Sequence, residues 1–170
     1  MNNAPTAPVS SLIAFYLLDT NILLRLTETS SATHATTLQA VSALLADGAV
    51  VFITGQNLIE FWNVATRPLE KNGLGLTTAE VSAELARHKA AFRLLPDSPA
   101  ILAQWETLVV RYDVQGQKVH DARLAAVALS YQVSHLLTFN DRDFKRLAPA
   151  GLQIIDPAGV ALGSERTPES

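Results

Sequence analysis

No cysteine occurs anywhere in the chain, which excludes disulfides, thiolate zinc sites and a cysteine nucleophile. That absence fits a reducing cytoplasm, the compartment we expect. There is also no excess of positive charge: 13 Lys and Arg against 16 Asp and Glu leave a formal charge of −3. A general electrostatic pull toward nucleic acid is therefore excluded, and any polyanionic substrate must be held by local cations. Long apolar runs are missing too. Leu12–Leu18 is far shorter than the roughly 20 residues needed to span a bilayer, and no basic residue precedes it. His34, His88, His120 and His135 show no His-x-x-x-His pairing, so no zinc motif is present. Gly73 and Gly75 lack the Gly-Lys-Ser/Thr ending of a phosphate loop and read as a turn. No serine lies in a nucleophile-elbow context.

What the chain has is an alternation of patterns. Residues 1–11 read as a flexible leader and 158–170 as a flexible tail, with one domain at 12–157 between them. Ile13–Leu18 is a continuous apolar run, as expected of a buried parallel strand. Thr33–Leu45 has helical spacing, Val50–Thr54 is strand-like, and Gln56–Thr66 is helical up to Arg67-Pro68. Thr77-Thr78-Ala79-Glu80 matches a capping box for a helix reaching Phe92. Arg93–Leu95, His135–Thr138 and Leu152–Ile155 complete the strands, with helices at Pro99–Tyr112 and Val119–Tyr131. This order predicts an α/β fold of three layers, α/β/α, around a central, mostly parallel sheet.

Four carboxylates stand where these runs end or helices begin: Asp19, Glu60, Asp121 and Asp143. Singly, each has an ordinary explanation as a helix cap, a partner of the helix dipole or a solvated surface charge. Together they are expected on one rim, because ligands of parallel α/β sheets sit beyond the carboxyl ends of the strands. Ionised carboxylates crowded there repel one another unless a cation joins them. Magnesium, a hard ion that prefers oxygen, suits such a cluster and serves phosphoryl transfer by activating water.

The segments carrying these residues are Leu-Leu-Asp-Thr-Asn (17–21), Asn-Leu-Ile-Glu-Phe-Trp-Asn-Val-Ala-Thr-Arg-Pro (57–68), His-Asp-Ala-Arg-Leu-Ala-Ala (120–126) and Leu-Leu-Thr-Phe-Asn-Asp-Arg-Asp-Phe (136–144). In order and spacing they resemble the motifs of PIN-domain ribonucleases, in particular VapC-type toxins of toxin–antitoxin pairs. The resemblance implies a PIN-like nuclease domain that hydrolyses RNA phosphodiester bonds with Mg2+ or Mn2+, a cognate antitoxin protein covering the acidic pocket, and a homodimer without membrane attachment. It assigns Asp19 and Asp121 as principal metal ligands and Glu60 as the third, with Asp143 as the fourth catalytic acid and Asp141 as its alternative. Asn57, Thr138 and Asn140 become polar supports, and Arg142 and Arg146 candidate contacts to RNA phosphates. A competing expectation is a catalytically silent PIN-like module that binds RNA or protein, although such a module has no need of four acids. A phosphatase with an aspartyl nucleophile is disfavoured, because Asn21 stands where its second aspartate belongs.

Overall fold

The computed structural model describes residues 13–147 and 152–164. Its five strands are β1 (Phe15–Leu18), β2 (Val50–Thr54), β3 (Arg93–Leu95), β4 (His135–Leu137) and β5 (Gln153–Ile155). They form one sheet in the order β3-β2-β1-β4-β5, and every pairing is parallel. The helices are α1 (Thr20–Thr27), α2 (His34–Ala46), α3 (Gly55–Thr66), α4 (Thr78–Ala91), α5 (Pro99–Arg111), α6 (Lys118–Ser130), α7 (Asp141–Leu147) and α8 (Pro157–Ser164). The expected α/β fold with a central parallel sheet and helices on both sides is what the chain adopts.

The continuous apolar runs are explained by burial on both faces. Successive residues of a strand point to opposite sides, so fully buried Leu17 and Leu18 enter different cores, as do Leu136 and Leu137. Leu17 and Leu136 pack with the alanine-rich face of α6 and with Ile101, Leu108 and Phe144. Leu18 and Leu137 pack with Ile22 and Leu23 of α1, Val41 and Leu44 of α2, and Phe61 of α3. Each such leucine contributes about 1.5–3 kcal/mol of burial free energy. Among the described residues no helix is long and apolar enough to cross a membrane.

Local signals set the helix starts. Thr54 and Asn57 form a reciprocal capping box that opens α3, and Thr77 and Glu80 form another that opens α4. Because α3 starts at Gly55, Glu60 lies in its second turn and not at the helix start where the sequence pattern sets it. Helix α7 begins at Asp141, which places both Asp141 and Asp143 in its first turn. Residues 158–164, assigned from sequence to a flexible tail, belong to α8, which packs on α2 with Ala161 buried. The proposed leader at 1–11 and the tail from 165 onward lie outside the described residues.

Gly73 shows why its turn needs glycine. A Cβ there would stand 1.9 Å from the backbone oxygen of Arg67. Gly73→Ala is therefore expected to cost about 1–3 kcal/mol, because backbone must move. A urea unfolding midpoint equal to wild type would show that the 68–75 turn yields freely.

Candidate active site

The sheet order reverses between β1 and β4: one half of the chain builds outward through β2 and β3, the other through β5. At such a switch point the loops leaving neighbouring strands diverge and open a crevice at the carboxyl edge. Asp19 follows β1 directly, and its backbone N–H donates to the Leu137 carbonyl of β4 at 3.0 Å. The crevice is a cleft of about 740 Å³ whose lining includes Thr20, Glu60, Asp121, Asn140 and Asp143.

Asp19 caps α1 and is held tightly. Its Oδ1 accepts from the Thr20 backbone N–H at 2.6 Å, and its Oδ2 accepts from Asn21 and from the Thr138 hydroxyl, both at 2.7 Å. Burial nevertheless pushes its pKa up to about 6, with the charge of Glu60 adding to the effect and the hydrogen bonds opposing it. Thr138 also accepts from the Asn140 backbone N–H at 2.9 Å, so the end of β4 and the end of β1 are locked together.

Asp121 lies in the first turn of α6 but does not cap it; the N-cap is Gln117. Among the described residues no hydrogen bond reaches its carboxylate. Burial, followed by the charges of Asp19, Asp143 and Glu60, raises its pKa to about 6, against a lowering by Lys118. Asp19 and Asp121 are thus two acids whose ionisation is opposed first by burial and then by nearby carboxylates, at the starts of helices on opposite sides of the sheet.

Glu60 is held at both oxygens: Oε2 accepts from Thr20 Oγ1 at 2.7 Å and Oε1 from Gln56 Nε2 at 2.8 Å. Asn57, fully buried, completes the α3 cap with its amide oxygen and donates Nδ2 to Thr20 Oγ1 at 3.2 Å. That donation leaves the Thr20 hydroxyl hydrogen for Glu60. Asp143 accepts from Lys118 Nζ at 2.8 Å and from Asn140 Nδ2 at 3.0 Å, and both contacts lower its pKa.

The remaining sequence candidates separate cleanly. Asp141 is exposed and paired with Lys145 at 2.6 Å, away from the cleft lining. Arg142 and Arg146 line a depression with Asp141 and Lys145 beside the cleft, and Arg146 shares a second one with the cleft residues Lys118 and Asp143. Thr20, Gln56 and Lys118 were not singled out from sequence. The signal for Gln56 was present, since it precedes Glu60 by one helical step of four residues.

Among the described residues no three carboxylate or imidazole groups stand close enough to enclose a metal by themselves. Magnesium does not require that. It keeps several waters and binds through one or two carboxylates plus substrate phosphate, rather than in a cage made wholly of protein. The oxygen-only donors at the rim, two of them destabilised as anions, suit such an ion.

The chain matches the PIN domain family over residues 16–149. No curated protein matches it. Among solved structures it is similar to VapBC2 from Rickettsia felis, bound to a promoter DNA fragment, with a TM-score of 0.62, 18% identity and coverage of 84% of this chain and 98% of the other. It is also similar to VapBC from Salmonella typhimurium, bound to DNA, at a TM-score of 0.61, 18% identity and coverage of 86% and 99%. VapC20 from Mycobacterium tuberculosis, a toxin that cleaves the sarcin–ricin loop, aligns with a TM-score of 0.58 at 20% identity, covering 76% of this chain and 93% of that one. At these identities the likeness is one of fold. The match from β1 into the segment after α7 spans every motif that builds the cleft, and the chain belongs to the PIN domain family.

Proposed function

We propose that the chain is a Mg2+- or Mn2+-dependent endoribonuclease and the toxin of a toxin–antitoxin pair. The observation that carries this reading is the pair Asp19 and Asp121, pushed up to about 6 by burial and by the charges around them at one rim. A site built to hold two such carboxylates together gains from a cation and has no evident purpose without one. Asp19 and Asp121 would hold the ion, with Glu60 as the third acid. An ion held there would offset the carboxylate charge and supply Lewis-acid activation of a water and the scissile phosphate.

The protein's own groups supply the geometry. Thr138 and Asn21 hold the Asp19 carboxylate, while Thr20 and Gln56 hold that of Glu60. Asp143, kept ionised by Lys118 and Asn140, can accept a hydrogen bond from water at the cleft edge. Lys118 also lines the cleft and can approach an RNA phosphate. A toxin–antitoxin complex from Klebsiella pneumoniae has the same fold, which supports a partner protein for this chain; the family resemblance adds a homodimeric toxin to the reading.

Purified chain is expected to cleave RNA in the presence of Mg2+ or Mn2+, to stop when EDTA is added, and to resume on metal replacement. Cleavage that continues undiminished in EDTA would remove the metal from the reading. RNA binding without cleavage in either metal would favour the silent binding module.

A further inference from the structure

Glu60 and Asp121 reach the cleft from opposite layers. Helix α3 buries Phe61 and Ala65 in the core on one side of the sheet, whereas α6 buries its alanine face in the core on the other. Apolar packing therefore fixes each helix against its own face of the sheet and not against the other helix. The hydrogen bonds that run between α3 and α6 among the described residues are polar, and all pass through Gln56.

The Gln56 amide is fully used. Its Nε2 donates to Glu60 Oε1 at 2.8 Å and to the His120 carbonyl, immediately before Asp121, at 2.9 Å. Its Oε1 accepts from Arg123 Nη1 at 3.0 Å. A guanidinium only donates, so the oxygen must face Arg123 and the NH2 must face Glu60 and His120. Arg123 fixes the amide's orientation as well as its place. Arg123 is itself held by Asp97 Oδ1 at 2.6 Å, in the loop after β3. His120 Nδ1 stands 3.9 Å from Glu60 Oε1, too far to replace the amide.

We propose that Gln56 and Arg123 are positioning residues: Arg123, anchored on Asp97, orients the Gln56 amide so that it clips Glu60 to the segment carrying Asp121 and sets their spacing for the cation. The role rests on the metal-dependent reading above and deepens it. It concerns residues outside the acidic set, and its consequence is read in metal affinity as well as in turnover. Partners that orient metal-binding groups typically carry about 10–100-fold of affinity or activity.

The test is Mn2+ binding by calorimetry alongside RNA cleavage kinetics. Gln56→Leu is expected to weaken Mn2+ about tenfold and lower kcat by a similar factor, with KM for RNA within about twofold of wild type. Arg123→Met should act in the same direction, and Arg123→Lys should recover part of the loss as a point charge without the fork. The double variant Gln56→Leu/Arg123→Met should be no worse than Gln56→Leu, since the arginine acts through the amide. If Gln56→Leu does not fold, Gln56→Asn carries the same expectation. Mn2+ affinity and kcat within about twofold of wild type in a folded Gln56 variant overturn the role, as do additive losses in the double variant. Wild type that binds Mn2+ but leaves RNA intact defeats the nuclease reading alone, with the clip decided by the affinities. Wild type that binds no Mn2+ overturns both.

Discussion

Asp121→Asn is expected to lower RNA cleavage by roughly three powers of ten while making the protein harder to unfold. The two effects share one cause. Asp121 is partly buried, has no hydrogen-bond donor among the described residues, and faces the charges of Asp19, Asp143 and Glu60. Its pKa of about 6 in the fold, against the ordinary 3.8, means that the folded state binds its proton more tightly than the unfolded state. Stability from this group is therefore fully present below about pH 4 and is lost as pH rises through about 6. At pH 7.5 without metal the ionised side chain destabilises the fold, by about 1–2 kcal/mol once solvent screening is allowed for. Asparagine removes that repulsion with little change of shape. The check is RNA cleavage with Mn2+ together with thermal unfolding in EDTA. Wild-type activity in the variant would remove Asp121 from the site, and a lower unfolding midpoint would show that its neighbours do not repel it. Asp19→Asn gives a less clean comparison, because Asp19 caps α1 and accepts three hydrogen bonds that an amide only partly replaces.

Much of this site could be read from residue order, and what could not has a physical reason. Asp19 was legible only as one of four carboxylates expected on one rim, since by itself an aspartate after an apolar run is an ordinary helix cap, a role it also fills at α1. Its contact with Thr138 was not, since the two are 119 positions apart and meet only because β1 and β4 are neighbours in the sheet. The choice between Asp141 and Asp143 depended on where α7 begins. With its start at Asp141, that side chain lies one turn from Lys145 and pairs with it, while Asp143 turns toward Lys118 and Asn140. Glu60 lies deeper in its helix than the apolar pattern suggests, because the Thr54–Asn57 box opens α3 at Gly55, one residue before Gln56. Helix α8 was hidden by its own composition: small residues with Gly159 and Gly163 in its span give little periodicity. The link from Gln56 to Arg123 crosses 67 positions and two layers, beyond the reach of any local pattern.

His88 is expected to dominate the loss of stability in acid, in a direction opposite to that of the site carboxylates. It is buried in α4, within 3.2 Å of the Thr27 hydroxyl, edge-on to Phe61 and stacked near Phe92. Burial first, and then the charge of Arg87, lowers its pKa to about 4. Between about pH 6.5 and 4 the unfolded chain takes up a proton that the fold refuses, so stability rises with pH across this window and falls on acidification. The full loss is on the order of 3 kcal/mol, a large part of the margin of a small domain. Over much of the same range Asp19 and Asp121 gain stability as they take up protons, and in metal-free protein the two together offset the histidine. The three are separable by substitution. In urea titrations without metal, Asp121→Asn should steepen the acid limb by removing one opposing term, and His88→Leu should flatten or invert it. An acid limb unchanged in His88→Leu would mean that the imidazole accepts its proton inside the fold, and that the contact between α4 and α1 opens as it does so.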